Sequence, residues 1–152
     1  MTGAPEAILW GGLACAILDG LAASTQFGLL GIPLLRVWQG VASGLLGGRA
    51  FTQGWLSGSL GLLLHFVIAF LWAAAFVELC RLLPLIARIY WFSGPLYGVV
   101  VFLVMNLIVV PLSARPKRPA SMQAIVVQLI IHILFVGLPI ALAANRFIRF
   151  IE

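Results

Sequence analysis

Residues 55–79 read WLSGSLGLLLHFVIAFLWAAAFVEL, twenty-five positions without a Lys or Arg and with a single acid, Glu78, at the far end. A bilayer hydrocarbon core of about 30 Å takes roughly 20 apolar residues in a helix, so this stretch predicts a membrane-spanning helix. Outward from it, three more runs have the same character: 7–30, 94–114 and 122–145. The charges fall in the gaps: Arg36 and Arg49, then Arg81 and Arg88, then Arg115, Lys117 and Arg118, then Arg146, Arg149 and Glu152. This alternation predicts an all-α membrane protein, an antiparallel bundle of four transmembrane helices forming one domain over residues 1–152.

Composition agrees. Of 152 residues, 63% are hydrophobic and 9% charged, and mean hydropathy is +1.17. A soluble domain carries about 25% charged residues, so there is too little polar surface here to cover a water-facing globule. The net charge of +5 is spread along the chain with no basic block, which argues against a nucleic-acid partner and for lipid headgroups as its counterpart. Cys15 and Cys80 form neither a CxxC pair nor a disulfide framework. No GxSxG, HExxH or P-loop occurs, so no catalytic constellation is assigned. The first ten residues lack Lys and Arg and the apolar run outlasts a signal h-region, so the first span is expected to be retained. Orientation is undecided: four cations sit at the second connection and C-terminus, and five in the first and third connections.

Two connecting segments carry patterns of their own. In 34–46 the apolar residues 34, 35, 37, 38, 41, 42, 45 and 46 leave Arg36, Gln39, Gly40, Ser43 and Gly44 mostly on another face, a short amphipathic helix. It is expected to lie flat at the interface, a re-entrant hairpin being the other reading. Residues 81–92 combine Pro84, Arg81 and Arg88 with Tyr90, Trp91 and Phe92, the aromatic signature of headgroup level. Ser93, Gly94 and Pro95 read as the cap and first turn of the third span.

Small residues recur at every fourth position of the first span: Gly12, Ala16, Gly20, Ser24 and Gly28. In lipid, apolar side chains gain nothing by leaving water, so close backbone contact over small residues is a main source of helix association. These five are expected to form a packing face within the bundle or between two copies, and Gly94 and Gly98 repeat the spacing in the third span.

Each span also holds a polar residue near its middle. Asp19 and Asn106 lie roughly 18 Å in from one side, and His65 and His132 roughly 15 Å in from the other. Gln128 stands one turn from His132, and Gln26 two turns from Asp19. The nine Leu, Ile and Phe of the first span contribute roughly −4 kcal/mol to insertion, most of which a central Asp at about +2.5 to +3.5 offsets. Such a carboxylate is expected to face the bundle interior, with His65 or His132 as its partner. Pro111 and Pro139 would further free the carbonyls of Leu107 and Phe135 close to Asn106 and His132.

Three chemistries suit this set. Asp19, His65, Asn106, His132 and Gln128 form a proton or ion site of a small transporter or complex subunit. Alternatively, His65 and His132 ligate a haem b iron or, with Asp19, a transition metal, although no HxxxH or ExxH pair places two ligands on one helix. In the third reading the polar groups only set helix register, at about 0.6 kcal/mol per hydrogen bond.

The stretches ILDG (17–20), VASGLLGG (41–48), LGLLLHFVIA (60–69), LYGVVVFLVMNLIVVPLSA (96–114) and HILFVGLPIALA (132–143) resemble a group of small, uncharacterised four-helix inner-membrane proteins of bacteria. The resemblance covers nearly the whole chain. It implies a multi-pass location in the bacterial inner membrane and no particular reaction.

Overall fold

The computed structural model describes residues 1–117 and 121–150. Arg118 and Glu152, counted above among the boundary charges, lie outside the described residues. Six helices follow in order: α1 (Ala4–Leu29), α2 (Leu34–Leu46), α3 (Gly54–Leu82), α4 (Leu85–Arg88), α5 (Tyr90–Leu112) and α6 (Met122–Phe147). A tight 3-10 turn, Gly47–Thr52, joins α2 to α3. Among the described residues there is no strand, only an isolated pairing of Thr2 with Arg149. Helices α1, α3, α5 and α6 hold 26, 29, 23 and 26 residues and are long and apolar enough to cross a membrane. Leu21, Leu63, Leu71, Leu107 and Leu112 point outward from them, an apolar surface suited to lipid.

Local chemistry sets the ends. Gly3 takes a left-handed conformation (φ 76°) just before α1, and Pro5 falls in the first turn, where its missing N–H costs nothing. Gly31 (φ 74°) and Pro33 separate α1 from α2. The Ser121 hydroxyl caps α6 by accepting from the Ala124 amide at 3.2 Å. The third span begins one turn earlier than the Ser93–Gly94–Pro95 reading proposes, at Tyr90. Ser93 is no cap: its hydroxyl donates to the Ile86 carbonyl at 2.8 Å, tying α5 to α4.

Helix α1 is central, packed on α3 along one side and on α6 along the other, and α6 in turn carries α5. As residue number rises in α1 it falls in both neighbours. Gly12 meets Phe70 and Gly20 meets His65, while Gly3 meets Phe147, Gly11 meets Ile140 and Ala143, and Gln26 meets Gln128. The α5–α6 contact runs the same way, Gly94 on Leu138 and Ala141, Gly98 on His132 and Ile133. Tyr97 links α5 to α3 by donating to the Trp72 carbonyl at 2.8 Å. The tightest core lies in one half of the assembly, around Ala7, Cys15, Phe76, Val77, Cys80, Val101, Ile140 and Ala144.

The other half is looser. Beyond Phe102 no residue of α5 is buried, and none of α6 before Ile131. Here α2 leans across the start of α3 so closely that a side chain on Gly61 would strike the Trp38 carbonyl, and its far end is tied to the segment just after α5, where the Ala114 amide donates to the Gly44 carbonyl at 2.9 Å. Pro111 and Pro139 each follow a wide π-helical turn, Met105–Val109 and His132–Gly137 respectively. The Val110 amide thus bonds the Met105 carbonyl and the Leu138 amide that of Ile133, a register slipped by one residue just ahead of each ring.

Candidate functional site

The first span's acid meets the second span's histidine. Gly20 is what lets the ring in: a methyl group there would stand 3.2 Å from both His65 Nε2 and Trp38 Cη2. With that space open, His65 Nε2 comes to 2.9 Å from the Ala16 carbonyl oxygen. A carbonyl can only accept, so Nε2 carries hydrogen, and the neutral ring leaves its lone pair on Nδ1. Nδ1 lies 3.9 Å from Asp19 Oδ2, with the His65 and Asp19 side chains 14% and 17% exposed. That is ion-pair distance but longer than a direct hydrogen bond. Trp38 of α2 covers the ring at 5.4 Å between centroids and Phe66 lies edge-on at 6.1 Å.

The remaining polar residues take other partners. Gln128 Nε2 donates to Gln26 Oε1 at 3.1 Å, a polar tie from α6 to α1. His132 Nδ1 donates to the Gln128 carbonyl of its own helix at 2.8 Å, its ring edge-on to Phe102 at 5.6 Å. Asn106 is exposed, and its Nδ2 donates to the Phe102 carbonyl of its own helix at 2.8 Å. Equal depth therefore does not bring the four midspan residues together. Asp19 and His65 meet, whereas Asn106 turns outward from the half of α5 that has no buried residue. Among the described residues no group of three His, Cys, Asp or Glu side chains is placed to hold a metal ion. His65 and His132 have different surroundings, and each spends one ring nitrogen on a backbone carbonyl.

The small residues of α1 divide similarly. Gly12 accommodates Phe70, Ala16 supplies the carbonyl to His65, Gly20 admits the ring, and Ser24 donates back to the Gly20 carbonyl at 2.7 Å. Gly28 meets nothing within 4 Å.

Two residues near the pair escape the sequence pattern. Trp38 reads as one more apolar position of the amphipathic helix, and only the crossing of α2 over α3 puts it on His65. Gln39 reads as part of a polar, outward face, yet it is 2% exposed. Its Nε2 donates to the Gly54 carbonyl at 3.0 Å and to Ser57 Oγ at 3.4 Å, while Ser57 Oγ donates to the Ala50 carbonyl at 2.6 Å. The only sequence signal for this cluster is the run of small residues at 40, 42, 43 and 44, which lets α2 approach α3 closely. Compared with protein-family models, curated proteins and solved structures, the chain matches none.

Proposed function

We propose that this chain is a multi-pass protein of the bacterial inner membrane, an antiparallel four-helix bundle in which Asp19 and His65 form a proton-exchange site of a small transporter or of a subunit in a larger membrane complex. In this reading α2 is an amphipathic helix at one membrane interface, tilted inward so that Trp38 screens the pair. The observation that carries the proposal is the 3.9 Å approach of Asp19 Oδ2 to His65 Nδ1 between two apolar spans. A carboxylate in a membrane helix is costly, and such groups mark proton or ion paths by default. The pair also has the right parts: Nε2 is held by Ala16, so Nδ1 alone gains and loses a proton facing an acceptor that does the same.

Proteoliposomes with an imposed pH gradient and an internal pH dye test it. Wild type is expected to dissipate the gradient faster than protein-free vesicles, and Asp19→Asn and His65→Gln to remove most of the excess. No excess flux from wild type, or equal flux from the variants, overturns the proposal and leaves the pair as a packing contact.

A further inference from the structure

At the end of the bundle remote from α2, a cavity of about 280 Å³ opens between α4, the end of α6 and the segment after it, lined by Ala87, Arg88, Asn145, Ile148, Arg149 and Phe150. Its walls are tied together. Asn145 Nδ2 donates to the Ala87 carbonyl at 2.9 Å, fixing α6 to α4. Thr2 and Arg149 exchange backbone hydrogen bonds at 2.9 and 3.1 Å, holding the segment after α6 against the start of α1. Ile148 is buried beneath.

Two arginines, Arg88 and Arg149, therefore border one small cavity on a fixed frame. Arg149 spends one N–H on the Ile148 carbonyl at 3.2 Å, leaving the rest of its fork. The carboxylates in ion-pair contact among the described residues are Glu78, with Arg81, and Asp19, with His65, so neither Arg88 nor Arg149 faces a described acid. Two of its lining residues, Ala87 and Arg88, closely precede Tyr90, Trp91 and Phe92 in the chain, the aromatic cluster expected at the headgroups. Its volume is just below the range of about 300–1,000 Å³ typical of whole small-molecule pockets, which suits a headgroup whose chains lie outside. One N–H of the Asn145 amide is used on Ala87, and its carbonyl oxygen is an acceptor for a hydroxyl.

We infer that this cavity binds the phosphate of an anionic lipid, with Arg88 and Arg149 forking the phosphate oxygens and Asn145 Oδ1 accepting from a headgroup hydroxyl such as that of glycerol. The inference does not depend on the Asp19–His65 pair.

The test is thermal unfolding of the full chain in neutral detergent, titrated with short-chain phosphatidylglycerol, short-chain phosphatidylcholine or inorganic phosphate. Phosphatidylglycerol is expected to raise the midpoint saturably, with phosphatidylcholine far weaker. Arg88→Gln combined with Arg149→Gln should raise the half-saturating concentration about thirtyfold. Lys117→Gln, remote from the cavity, should leave it unchanged. Arg88→Lys, which keeps the charge and loses the fork, should weaken binding less and serves if the double variant does not fold. Equal titrations of wild type and the arginine variants, or equal effects of the two lipids, overturn the inference. An arginine-dependent shift from inorganic phosphate alone that matches phosphatidylglycerol overturns the lipid assignment in favour of a soluble phosphate.

Discussion

Gly137 of α6 lies directly on Gly98 of α5: a methyl group on Gly137 would stand 2.8 Å from the Gly98 Cα and would overlap the Gly94 carbonyl and the Gly98 amide. The obstacles are backbone atoms, which cannot rotate away. Gly137→Ala should therefore cost at least the roughly 1–3 kcal/mol of an overpacked core, read as a lowered unfolding midpoint in detergent. Gly28→Ala, which meets open space, should be neutral or gain up to about 1 kcal/mol from helix propensity. Equal effects at the two positions would contradict this packing.

Asp19 and His65 should be energetically coupled. In a double-mutant cycle of Asp19→Leu and His65→Leu, unfolding in detergent should return a coupling of about 0.6–1.7 kcal/mol, the range of polar contacts between membrane helices. A coupling of zero would mean that the two groups do not interact in the folded protein.

Trp38 screens the His65 ring, so Trp38→Ala should expose it. Deuterium exchange at the histidine C2 position, read by mass spectrometry, should speed up at His65 and stay unchanged at His132, whose neighbour is Phe102. Unchanged exchange at His65 would place α2 away from the ring.

Asn106 should tolerate replacement. Its side chain bonds only the Phe102 carbonyl of its own helix and is exposed, so Asn106→Leu should shift unfolding by less than about 0.5 kcal/mol and leave any gradient dissipation intact. A loss of flux would return Asn106 to the site.

Gln39 holds α2 on α3. Gln39→Ala removes the amide donor shared by the Gly54 carbonyl and the buried Ser57 hydroxyl, while Ser57 Oγ still donates to the Gly54 carbonyl at 3.1 Å, so the loss should be about 0.5–1.5 kcal/mol. The turn Gly47–Thr52 should loosen, and trypsin should cleave after the exposed Arg49 faster than in wild type.

Hydropathy and charge spacing alone were sufficient for the helical class and for four helices long and apolar enough to cross a membrane, because insertion free energy is summed residue by residue along the chain and needs no knowledge of neighbours. The boundaries were legible to within a few residues, the largest displacement being the start of α5, where Pro95 reads as a first-turn residue and in fact follows a turn begun at Tyr90. The position of each polar residue along its own helix was legible too, since rise per residue is constant. What a sequence read one span at a time does not contain is each helix's rotation about its axis and its choice of partner. Those follow from close contacts such as Gly20 on His65 and Gly137 on Gly98, each requiring a gap in one helix to face bulk or backbone in another. The wide turns before Pro111 and Pro139 shift the helical phase again. Only the tertiary structure could therefore decide that Asp19 meets His65, that Trp38 covers them, and that Asn106, at matching depth, turns away.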